Sequence, residues 1–517
     1  MKVAVNDRYW PTGGGGEKFA AGIAAALAPE HDVRLLGHED VDLGWLGERL
    51  DLDLSDVAVD VLPDELGVAR ASAAYDLFVN ASYLSWDANH ARHGIYVVHF
   101  PGPRPPLAER SRRWLASWAG DLLSGEATVE LGDRFYTPEA TRVHGLRWTG
   151  GDAELVVASP TGGRVPVTVL LGRYLPPAVT PLDVVAVAGG TEVGRAVVEA
   201  RRSRTDRRRT VPLTFAVDVP AGGRVRVQLR CRAWVPAEVG VGADRRPLGV
   251  PVVGAHAGGG WRAAVARGVP VLAGQTGEPT HLETYDRLLA NSRYTQGWVE
   301  RLWHRPSDVL YPPVGLVERG PKAPVILSVG RFFLPGSGHN KKQLEMVSAF
   351  RRLVERGGAD GWEYHLAGGC APEHRPYLDQ IRAAAQGMPV VLHPEASGAD
   401  LRGLYRQASI FWHAAGLGEH PARHPDRYEH FGITTVEAMS AGAVPVVIDA
   451  AGQMEIVEHG ASGYRFARLD DLIAHTERLI ADPAWRETLS VAAEHGARAF
   501  GWDAFAARVR DQVASLV

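Results

Sequence analysis

Short apolar segments alternate with helical segments in two separate parts of this 517-residue chain. In the first part, the apolar segments that are typical of buried strands are Val3–Val5, Val33–Leu36, Leu77–Asn80 and Ile95–Val98. Strands separated by helices can pair in parallel, because each helix carries the chain back to the same end of the sheet. The pattern therefore predicts a parallel α/β sheet in residues 1–120, and its return between residues 325 and 448 predicts a second one.

Residues 121–235 carry a different pattern, in which apolar and polar residues alternate and Gly or Pro separates the segments. The alternating segments are Glu154–Ala158, Val165–Leu171, Leu182–Val187, Leu213–Val219 and Val225–Leu229. A period of two is typical of half-buried strands, and closely spaced strands of this kind favour an antiparallel sandwich. We expect this sandwich to be inserted in the first α/β domain, which resumes as strand–helix–strand from Pro251 to Gly274.

The predicted fold class is α/β, with two Rossmann-like domains and an inserted antiparallel β-sandwich. The N-terminal Rossmann-like domain comprises residues 1–120 and 236–318, and the sandwich comprises residues 121–235. The C-terminal Rossmann-like domain comprises residues 319–500. A final helix, residues 501–517, carries one apolar stripe and is expected to pack back on the N-terminal domain. The stripe consists of Phe505, Val509, Val513 and Leu516.

Composition and charge exclude several classes of protein. With 56 basic and 60 acidic residues the net charge is −4, which argues against a nucleic-acid-binding protein. The two cysteines, Cys231 and Cys370, are too few for a disulfide framework, and no apolar run reaches the length of a membrane span. The first residues fit a strand and not a signal peptide, so we expect a cytoplasmic protein.

A glycine-rich segment, Pro11–Glu17, lies between the first strand and the first helix. Glycines let backbone N–H groups approach an anion, and the N-terminus of the helix adds positive potential. The segment matches neither the GxGxxG loop nor the P-loop, and a simple turn is the alternative. Because four consecutive glycines exceed what a turn needs, we favour contact of Gly14 and Gly15 with a phosphate or an acceptor.

Two cations follow the first strand of the second α/β domain. Arg331 ends this strand at the carboxyl edge, where open α/β sheets bind ligands, and Lys341 opens the next helix ten residues later. Only five of the 56 basic residues are lysines, so the pair Lys341–Lys342 stands out. A guanidinium and an ammonium that converge suit a diphosphate, whereas two separately solvated cations are the alternative.

The segment Glu429–Glu437 is the most specific motif, with two carboxylates eight residues apart around a glycine turn. The amides of Gly432–Thr434 lie at the expected start of a helix and can hold a phosphate. Glu437, one turn into the helix, can accept hydrogen bonds from a ribose diol, and Glu429 can face a sugar hydroxyl. The alternative is an ordinary helix-face charge and a loop carboxylate.

A lone histidine at the end of a strand usually has a structural role. His99 ends the fourth apolar strand at the sheet edge that faces the expected cleft, which favours a functional role.

Together these motifs resemble the retaining GT-B glycosyltransferases of family four (glycosyl transferases group 1), which use nucleotide-sugar donors. The resemblance covers residues 1–120 and 240–517. It is carried by Gly13–Glu17, His99, Asn291–Thr295, Tyr311–Val314, Gly330–Arg331 with Lys341, and Glu429–Ile456. It implies the GT-B fold, in which two Rossmann-like domains face a cleft. The His-Phe-Gly and Leu-Tyr-Pro-Pro elements also look like the mannosyltransferases that extend dolichol-linked oligosaccharides.

The resemblance implies a role for each matching residue. Arg331 and Lys341 would bind the donor diphosphate, Glu437 would bind the ribose, and Glu429 and His99 would contact the donor sugar. The implied catalytic set is His99, Glu429, Arg331 and Lys341. The implied donor-binding set is Gly14, Gly15, Arg331, Lys341, Phe431, Gly432, Ile433, Thr434 and Glu437. The base is expected near Leu392–Ala396.

The resemblance further implies a hexosyltransferase of polysaccharide biosynthesis that uses GDP-mannose or a UDP-sugar. The acceptor would be a glycan, a lipid-linked sugar or a small molecule. The departing phosphate can take the acceptor's proton, so a protein base is not required, and neither a metal nor another cofactor is expected. Asp51-Leu-Asp53 imitates a metal-binding DxD motif but fits a solvated loop better.

Two other classes of function stay open: a non-catalytic sugar- or nucleotide-binding protein with the same fold, and a glycan phosphorylase or glycosidase. The sandwich departs from the family, and both its role and the oligomeric state stay open. Seven arginines in Arg195–Arg209 suit a solvated hairpin tip, or a site for anionic lipid heads at the inner face of the membrane.

Overall fold

The structure is a computed structural model. It describes residues 1–102, 127–140, 145–200, 209–242, 244–261, 264–265, 280–336 and 340–516. The strands in these ranges form four sheets. None of the helices in the same ranges combines the length and the apolar character that a membrane crossing requires.

Residues 1–98 form five strands that alternate with three helices. The strands are β1 (Lys2–Asn6), β2 (Asp32–Gly37), β3 (Val57–Val61), β4 (Leu77–Asn80) and β5 (His93–Val98), and the helices are α1 (Gly15–Leu27), α2 (Leu43–Leu50) and α3 (Val68–Ser72). All of these strands pair in parallel, and β1 lies between β2 and β4. Helix α1 begins four residues earlier than its apolar run at Phe19, because the glycines of the loop enter its first turn.

Ten further strands form two antiparallel sheets of five strands each. They are β6 (Thr128–Leu131), β7 (Glu139–Ala140), β8 (Gly145–Trp148), β9 (Asp152–Ser159), β10 (Gly163–Gly172), β11 (Leu182–Ala188), β12 (Thr191–Val198), β13 (Thr210–Val219), β14 (Gly223–Cys231) and β15 (Pro251–Ala257). The sheet orders are β13-β10-β15-β8-β7 and β12-β11-β14-β9-β6. Side chains from both sheets share one buried core, which includes Leu155, Leu171 and Val184. We call β6–β15 the β domain.

The expected end of the β-rich region at residue 235 is wrong, and so is the assignment of Pro251–Ala257 to the N-terminal domain. Strand β15 pairs antiparallel with β10 and places Val252 in the core of the β domain. The apolar run of β15 therefore belongs to an antiparallel sheet. Over seven residues, hydrophobic periodicity cannot distinguish a buried strand of an antiparallel sheet from one of a parallel sheet. Residues 262–263 and 266–279, where the rest of that expectation falls, lie outside the described residues.

The arginine-rich segment is described only at its ends. Arg195 on β12 forms ion pairs with Asp183 at 2.7 Å and with Glu192 at 2.8 Å. Residues 201–208, which hold five of the seven arginines, lie outside the described residues.

The chain then returns to the first sheet through β16 (Arg287–Ala290), α4 (Arg293–Trp303) and β17 (Asp308–Val309). Strand β16 pairs in parallel with β5, so the sheet runs β3-β2-β1-β4-β5-β16-β17. This is the strand order of the Rossmann fold, extended by one strand.

Residues 325–497 form the C-terminal α/β domain. Its strands are β18 (Val325–Val329), β19 (Glu363–Gly368), β20 (Val390–Pro394), β21 (Ile410–His413), β22 (Val444–Ile448) and β23 (Tyr464–Phe466). Its helices are α5 (Gln343–Glu355), α6 (Arg375–Ala385), α7 (Gly398–Gln407), α8 (Ile433–Ser440), α9 (Gln453–Ile456), α10 (Leu469–Ala481) and α11 (Pro483–Ala497). The parallel order β20-β19-β18-β21-β22-β23 repeats that of the first sheet. The α/β fold class is thus confirmed.

The last helix, α12 (Trp502–Ala514), packs against α1 of the N-terminal domain. The rings of Phe505 and Phe19 lie 6.0 Å apart, and Arg287 donates a hydrogen bond of 3.0 Å to the carbonyl of Gln512. The chain therefore crosses back from the second domain to the first, which ties the two domains together at both ends of the C-terminal domain.

Truncation of Phe505 should destabilise the N-terminal domain. Phe505 is 2% exposed, so Phe505→Ala is expected to lower the free energy of unfolding by about 3–5 kcal/mol. Urea denaturation followed by tryptophan fluorescence measures this change. The control Val491→Ala, at a 54% exposed position on α11, should change it by less than about 0.5 kcal/mol. Equal losses in the two variants would contradict a core role for α12.

Candidate active site

Each parallel sheet has one point where the order of its strands reverses. This point lies between β1 and β4 in the N-terminal sheet and between β18 and β21 in the C-terminal sheet. Open α/β sheets bind ligands in the crevice at the carboxyl ends of the strands at such points. The residues that follow β1, β18 and β21 are therefore the first candidates for a site.

The glycine loop after β1 faces the second domain. The Glu17 carboxylate accepts hydrogen bonds from the Gly14 amide at 2.6 Å and the Thr12 hydroxyl at 2.7 Å, which fixes the start of α1. A Cβ atom on Gly14 would lie 2.8 Å from Nη2 of Arg331, and one on Gly15 would lie 3.4 Å from the Ile433 side chain. The absence of side chains at Gly14 and Gly15 thus keeps the two sheet edges close.

His99 follows β5 and lies beside the same loop. Its Nε2 is 2.7 Å from the carbonyl of Ala81, and because a carbonyl only accepts, Nε2 must carry the proton. Burial lowers the pKa of His99, which favours the neutral ring. The neutral ring keeps Nδ1 as an acceptor, and a Cβ atom on Gly16 would lie 3.9 Å from this nitrogen.

Lys341 and Glu429 form an ion pair at the edge of the C-terminal sheet. Nζ of Lys341 lies 2.5 Å from Oε2 of Glu429, and Nε2 of His413 lies 3.1 Å from the same oxygen. Burial alone would raise the pKa of Glu429, but the charge of Lys341 and the hydrogen bond to His413 hold it well below its usual value. Within the described residues Oε1 of Glu429 makes no hydrogen bond, so it is available to a ligand hydroxyl.

The two adjacent lysines bind different carboxylates. Lys342 has a left-handed backbone conformation (φ 60°), and its Nζ lies 2.8 Å from Glu419, which also pairs with Arg427 at 3.0 Å. Lys341 was expected to open the helix, but α5 begins at Gln343, so Lys341 belongs to the preceding loop. In this loop its stem packs on Gly330, beside Arg331.

Arg331 is exposed and was expected to end the strand, but β18 ends at Val329, so Arg331 lies in the loop just beyond it. Its guanidinium has no ion-pair partner among the described residues, although it faces Gly14 closely. A guanidinium that is positioned by its strand and still unpaired suits an anionic ligand.

Helix α8 begins at Ile433, and the first amides of the helix have no hydrogen-bond partner within it. The first hydrogen bonds of this turn run from Thr435 and Val436 to the carbonyl of Gly432, at 3.0 and 3.3 Å. The amides of Gly432, Ile433 and Thr434 therefore remain for an anion. Gly432 has φ 120°, and a Cβ atom there would lie 2.4 Å from Gln453, so the turn requires glycine.

Phe431 and Glu437 flank this turn in different ways. The Phe431 side chain is 3% exposed and packs on Tyr311, so only its main chain can face a ligand. Oε2 of Glu437 accepts a hydrogen bond of 2.7 Å from the hydroxyl of Tyr405. Burial raises the pKa of Glu437, against the opposing effects of Lys18 and Tyr405.

The structure brings most of the predicted residues to the two facing edges, but three contributors were missed. His413 is the last residue of β21 and could have been found by the sheet-edge argument that selected His99. Tyr405 and Gln453 act through contacts from distant helices, for which the sequence carries no signal.

Among the described residues no group of three or more His, Cys, Asp or Glu side chains is arranged to hold a metal ion. Asp53 of the DxD-like segment accepts from the amide of Ser55.

Residues 317–496, which include Arg331, Lys341, Glu429 and Glu437, match the family described as glycosyl transferases group 1. Over these residues the chain is similar to this family. The predicted resemblance is confirmed for the segment that carries the most specific motif.

Several curated relatives match part of the chain, among them the following two. The D-inositol 3-phosphate glycosyltransferase of Nocardiopsis dassonvillei is 30% identical over 139 residues, which cover 26% of this chain and 30% of that protein. The GDP-Man:Man(3)GlcNAc(2)-PP-Dol alpha-1,2-mannosyltransferase of Dictyostelium discoideum is 24% identical over 214 residues, covering 38% of this chain and 40% of that protein. The chain thus aligns with less than half the length of either relative.

A solved structure matches over the full length. HepE from Anabaena, crystallised in complex with UDP and glucose, covers 100% of both chains with a TM-score of 0.52 at 13% identity. At this identity the likeness concerns the fold alone. The GT-B fold expected from the sequence is confirmed.

Acid should weaken the C-terminal domain through His413. Burial holds the pKa of His413 below its ordinary value of 6.5, despite the neighbouring Glu429. The unfolded chain therefore binds a proton that the folded chain does not, and the free energy of unfolding falls as the pH drops below about 6.5. Between about pH 7.5 and about pH 5.5, the free energy of unfolding of His413→Gln should fall less than that of the wild type. Urea denaturation at each pH measures both. His495→Gln, at an exposed site on α11, is the control, and an unchanged pH dependence in His413→Gln would refute the expectation.

Proposed function

We propose that the protein is a retaining glycosyltransferase that moves a hexose from a nucleoside diphosphate sugar to a hydroxyl of a glycan, lipid-linked or small-molecule acceptor. The observation that carries the proposal is the arrangement at the C-terminal sheet edge. There, Lys341, Arg331 and the open amides of α8 surround one region, and the Gly14–Gly15 loop faces it from the other domain. Fixed cations and helix amides are the groups that stabilise a departing diphosphate.

The remaining residues fit the sugar nucleotide around this diphosphate. Oε1 of Glu429 and Nδ1 of His99 are acceptors suited to hydroxyls of the donor sugar, one from each domain. Glu437, oriented by Tyr405, suits the ribose diol. The base would lie beyond it, beside Leu392–Ala396 at the end of β20.

The proposed reaction needs no protein base. As the bond between the anomeric carbon and the diphosphate breaks, negative charge develops on the phosphate oxygen, and Arg331, Lys341 and the α8 amides stabilise it. That oxygen can take the proton of the acceptor hydroxyl, which attacks from the same face, so the configuration is retained. Neutral His99 and ionised Glu429 then act by positioning.

Both donor classes deserve testing. HepE binds UDP and glucose by its description, and the Dictyostelium relative is described as using GDP-Man. A panel of UDP-glucose, UDP-galactose and GDP-mannose, with nucleotide release and product mass as readouts, should show release that increases with acceptor. NMR of the anomeric proton would report retention. Tight nucleotide binding without release would favour the non-catalytic alternative.

A glycosidase is the second candidate, because the environments of Glu429 and Glu437 shift their pKa values in opposite directions. Such an enzyme needs both carboxyls beside the scissile bond. Here Tyr405 occupies one oxygen of Glu437 and Lys341 one oxygen of Glu429. Release of p-nitrophenol from nitrophenyl hexosides without any nucleotide sugar would favour this candidate.

Lys341→Ala should reduce donor use far more than Lys342→Ala. Only Lys341 lies beside Glu429 at the sheet edge, whereas Lys342 is held by Glu419 away from it. We expect kcat/KM for the nucleotide sugar to fall about 100-fold in Lys341→Ala and less than about threefold in the matched Lys342→Ala. Initial rates at varied donor concentration measure both. Equal losses would show that the diphosphate is not bound at Lys341.

Removal of divalent cations should leave transfer unchanged. The proposed site neutralises the diphosphate with Arg331, Lys341 and helix amides, so a bridging cation is not required. Transfer rates after EDTA treatment, and after addition of Mg²⁺ or Mn²⁺ in excess, are expected to agree within about twofold. A loss of activity in EDTA that Mg²⁺ or Mn²⁺ restores would refute metal independence.

A further inference from the structure

Lys322 lies on the segment that connects the N-terminal domain to the C-terminal domain, between β17 and β18. Its Nζ atom contacts four carbonyl oxygens, those of Tyr405 at 3.5 Å, Arg406 at 3.2 Å, Ala408 at 2.9 Å and Ala441 at 2.5 Å. The first three carbonyls lie at the end of α7, and the last lies at the end of α8. One ammonium therefore joins the ends of two helices.

These carbonyls are groups that a helix cannot satisfy by itself. The last four carbonyls of an α-helix have no partner within it, and the helix dipole concentrates negative charge there. At the end of α7, the carbonyl of Gln407 also accepts from the amide of Ala323 at 2.8 Å. At the end of α8, the hydroxyl of Ser440 accepts from the amide of Val317 at 2.9 Å. The segment between the domains thus holds both helix ends.

A lysine suits this position better than an arginine. Only five of the 56 basic residues are lysines, so the type of cation found here is unusual for this chain. The three protons of an ammonium surround one atom, whereas the donors of a guanidinium lie in a plane, so carbonyls that converge on one point favour an ammonium. Burial and the nearby charge of Arg319 lower the pKa of Lys322 to about 8, so the charged form still predominates at pH 7.

Helices α7 and α8 carry the two side chains of the proposed ribose site. Lys322 contacts the carbonyl of Tyr405, and the hydroxyl of the same residue donates to Oε2 of Glu437 at 2.7 Å. On α8, the Ala441 carbonyl accepts from Lys322, and the Ala441 amide donates to the Glu437 carbonyl at 3.2 Å. Two short paths of contacts therefore lead from Lys322 to Glu437, one through each helix.

Lys322 reaches this site from the opposite edge of the sheet. Lys322, Ala408 and Ala441 each come just before a strand of the parallel sheet, so their contact lies at its amino edge. The donor groups after β18 and β21 lie at the carboxyl edge. Any effect of Lys322 on the donor must therefore pass through the positions of α7 and α8.

We propose that Lys322 is a positioning residue for Glu437, and that it sets the affinity of the site for the ribose diol of the donor nucleotide. The inference rests on the proposed function, in which Glu437 binds this diol. A lysine that only stabilised the fold would affect all nucleotides alike. A lysine that positions Glu437 affects those nucleotides that carry the diol.

Calorimetry with the full-length protein at pH 7 tests this role. The probes are UDP and GDP, and the 2′,3′-dideoxy forms of both, which lack the diol. Lys322→Met removes the ammonium, and Lys322→Arg, the second variant, keeps the charge but not the single donor atom. The matched control is Lys2→Met in the N-terminal domain, where Nζ lies 4.6 Å from the centroid of the Tyr75 ring. Glu437→Gln, alone and combined with Lys322→Met, completes a double-mutant cycle.

Hydrogen–deuterium exchange, measured by mass spectrometry without nucleotide, reports the two helix ends directly. Lys322→Met should increase exchange in the last turns of α7 and α8, because their carbonyls lose a shared donor. Lys2→Met should leave exchange in both helices unchanged. Unchanged exchange in Lys322→Met would overturn the inference without reference to any ligand.

The diphosphate that binds the wild type should bind Lys322→Met at least about tenfold more weakly, and Lys322→Arg at least about threefold more weakly. The dideoxy form should bind both variants as it binds the wild type, within about twofold, and Lys322→Met should cost no further affinity in Glu437→Gln. Equal losses for the two forms, or additive losses in the cycle, would overturn the inference. Failure of the proposed transfer would be seen separately, as an absence of nucleotide release from nucleotide sugars by the wild type.

Discussion

The partly buried contact of Lys341 with Glu429 and His413 is the interaction on which the C-terminal half of the site depends. It joins the loop after β18, which holds Lys341, to the end of β21, which holds His413, and to the loop between β21 and α8, which holds Glu429. The side chains of Lys341 and Glu429 are 19% and 20% exposed, so removal of one partner leaves the other charge only partly solvated. The positions of these loops are therefore mutually dependent. Both contacts use Oε2 of Glu429. Among the described residues its Oε1 makes no hydrogen bond and can therefore accept one from a ligand.

A second set of contacts holds the two sheet edges opposite each other. Glu455 of α9 accepts hydrogen bonds from the amides of Arg293 and Tyr294 at 2.9 and 2.8 Å, so a carboxylate of the second domain caps helix α4 of the first. The rings of Phe100 and His430 stack at 4.1 Å nearby. Phe100 and His430 directly follow His99 and Glu429 in the chain, so this stacking contact joins the two segments that carry those site residues.

The β domain adds a third body to the two α/β domains and is fixed against the first of them. An antiparallel sandwich has its own core and could have been attached through a flexible linker. Instead, Arg134 and Arg147 bind it to the N-terminal domain, and Gly150 packs against Leu66 of that domain. The carboxyl ends of β1, β2 and β4 are thereby partly covered by residues from a different domain.

The sequence by itself determined the alternation of strands and helices and the segments that carry charge at the strand ends, and its resemblance to a known family implied the GT-B fold. The alternation follows from local patterns, because burial on a parallel sheet requires apolar runs. The predicted end of the β domain at residue 235 was wrong. Strand β15 also belongs to this domain, but its partner, β10, lies some 80 residues away in the sequence, so no local pattern joins the two. Only the tertiary structure decided that Lys341 pairs with Glu429 while Lys342 pairs with Glu419. It also brought His413 and Tyr405 to the site, because such contacts depend on how distant loops meet and leave no periodic trace in the chain.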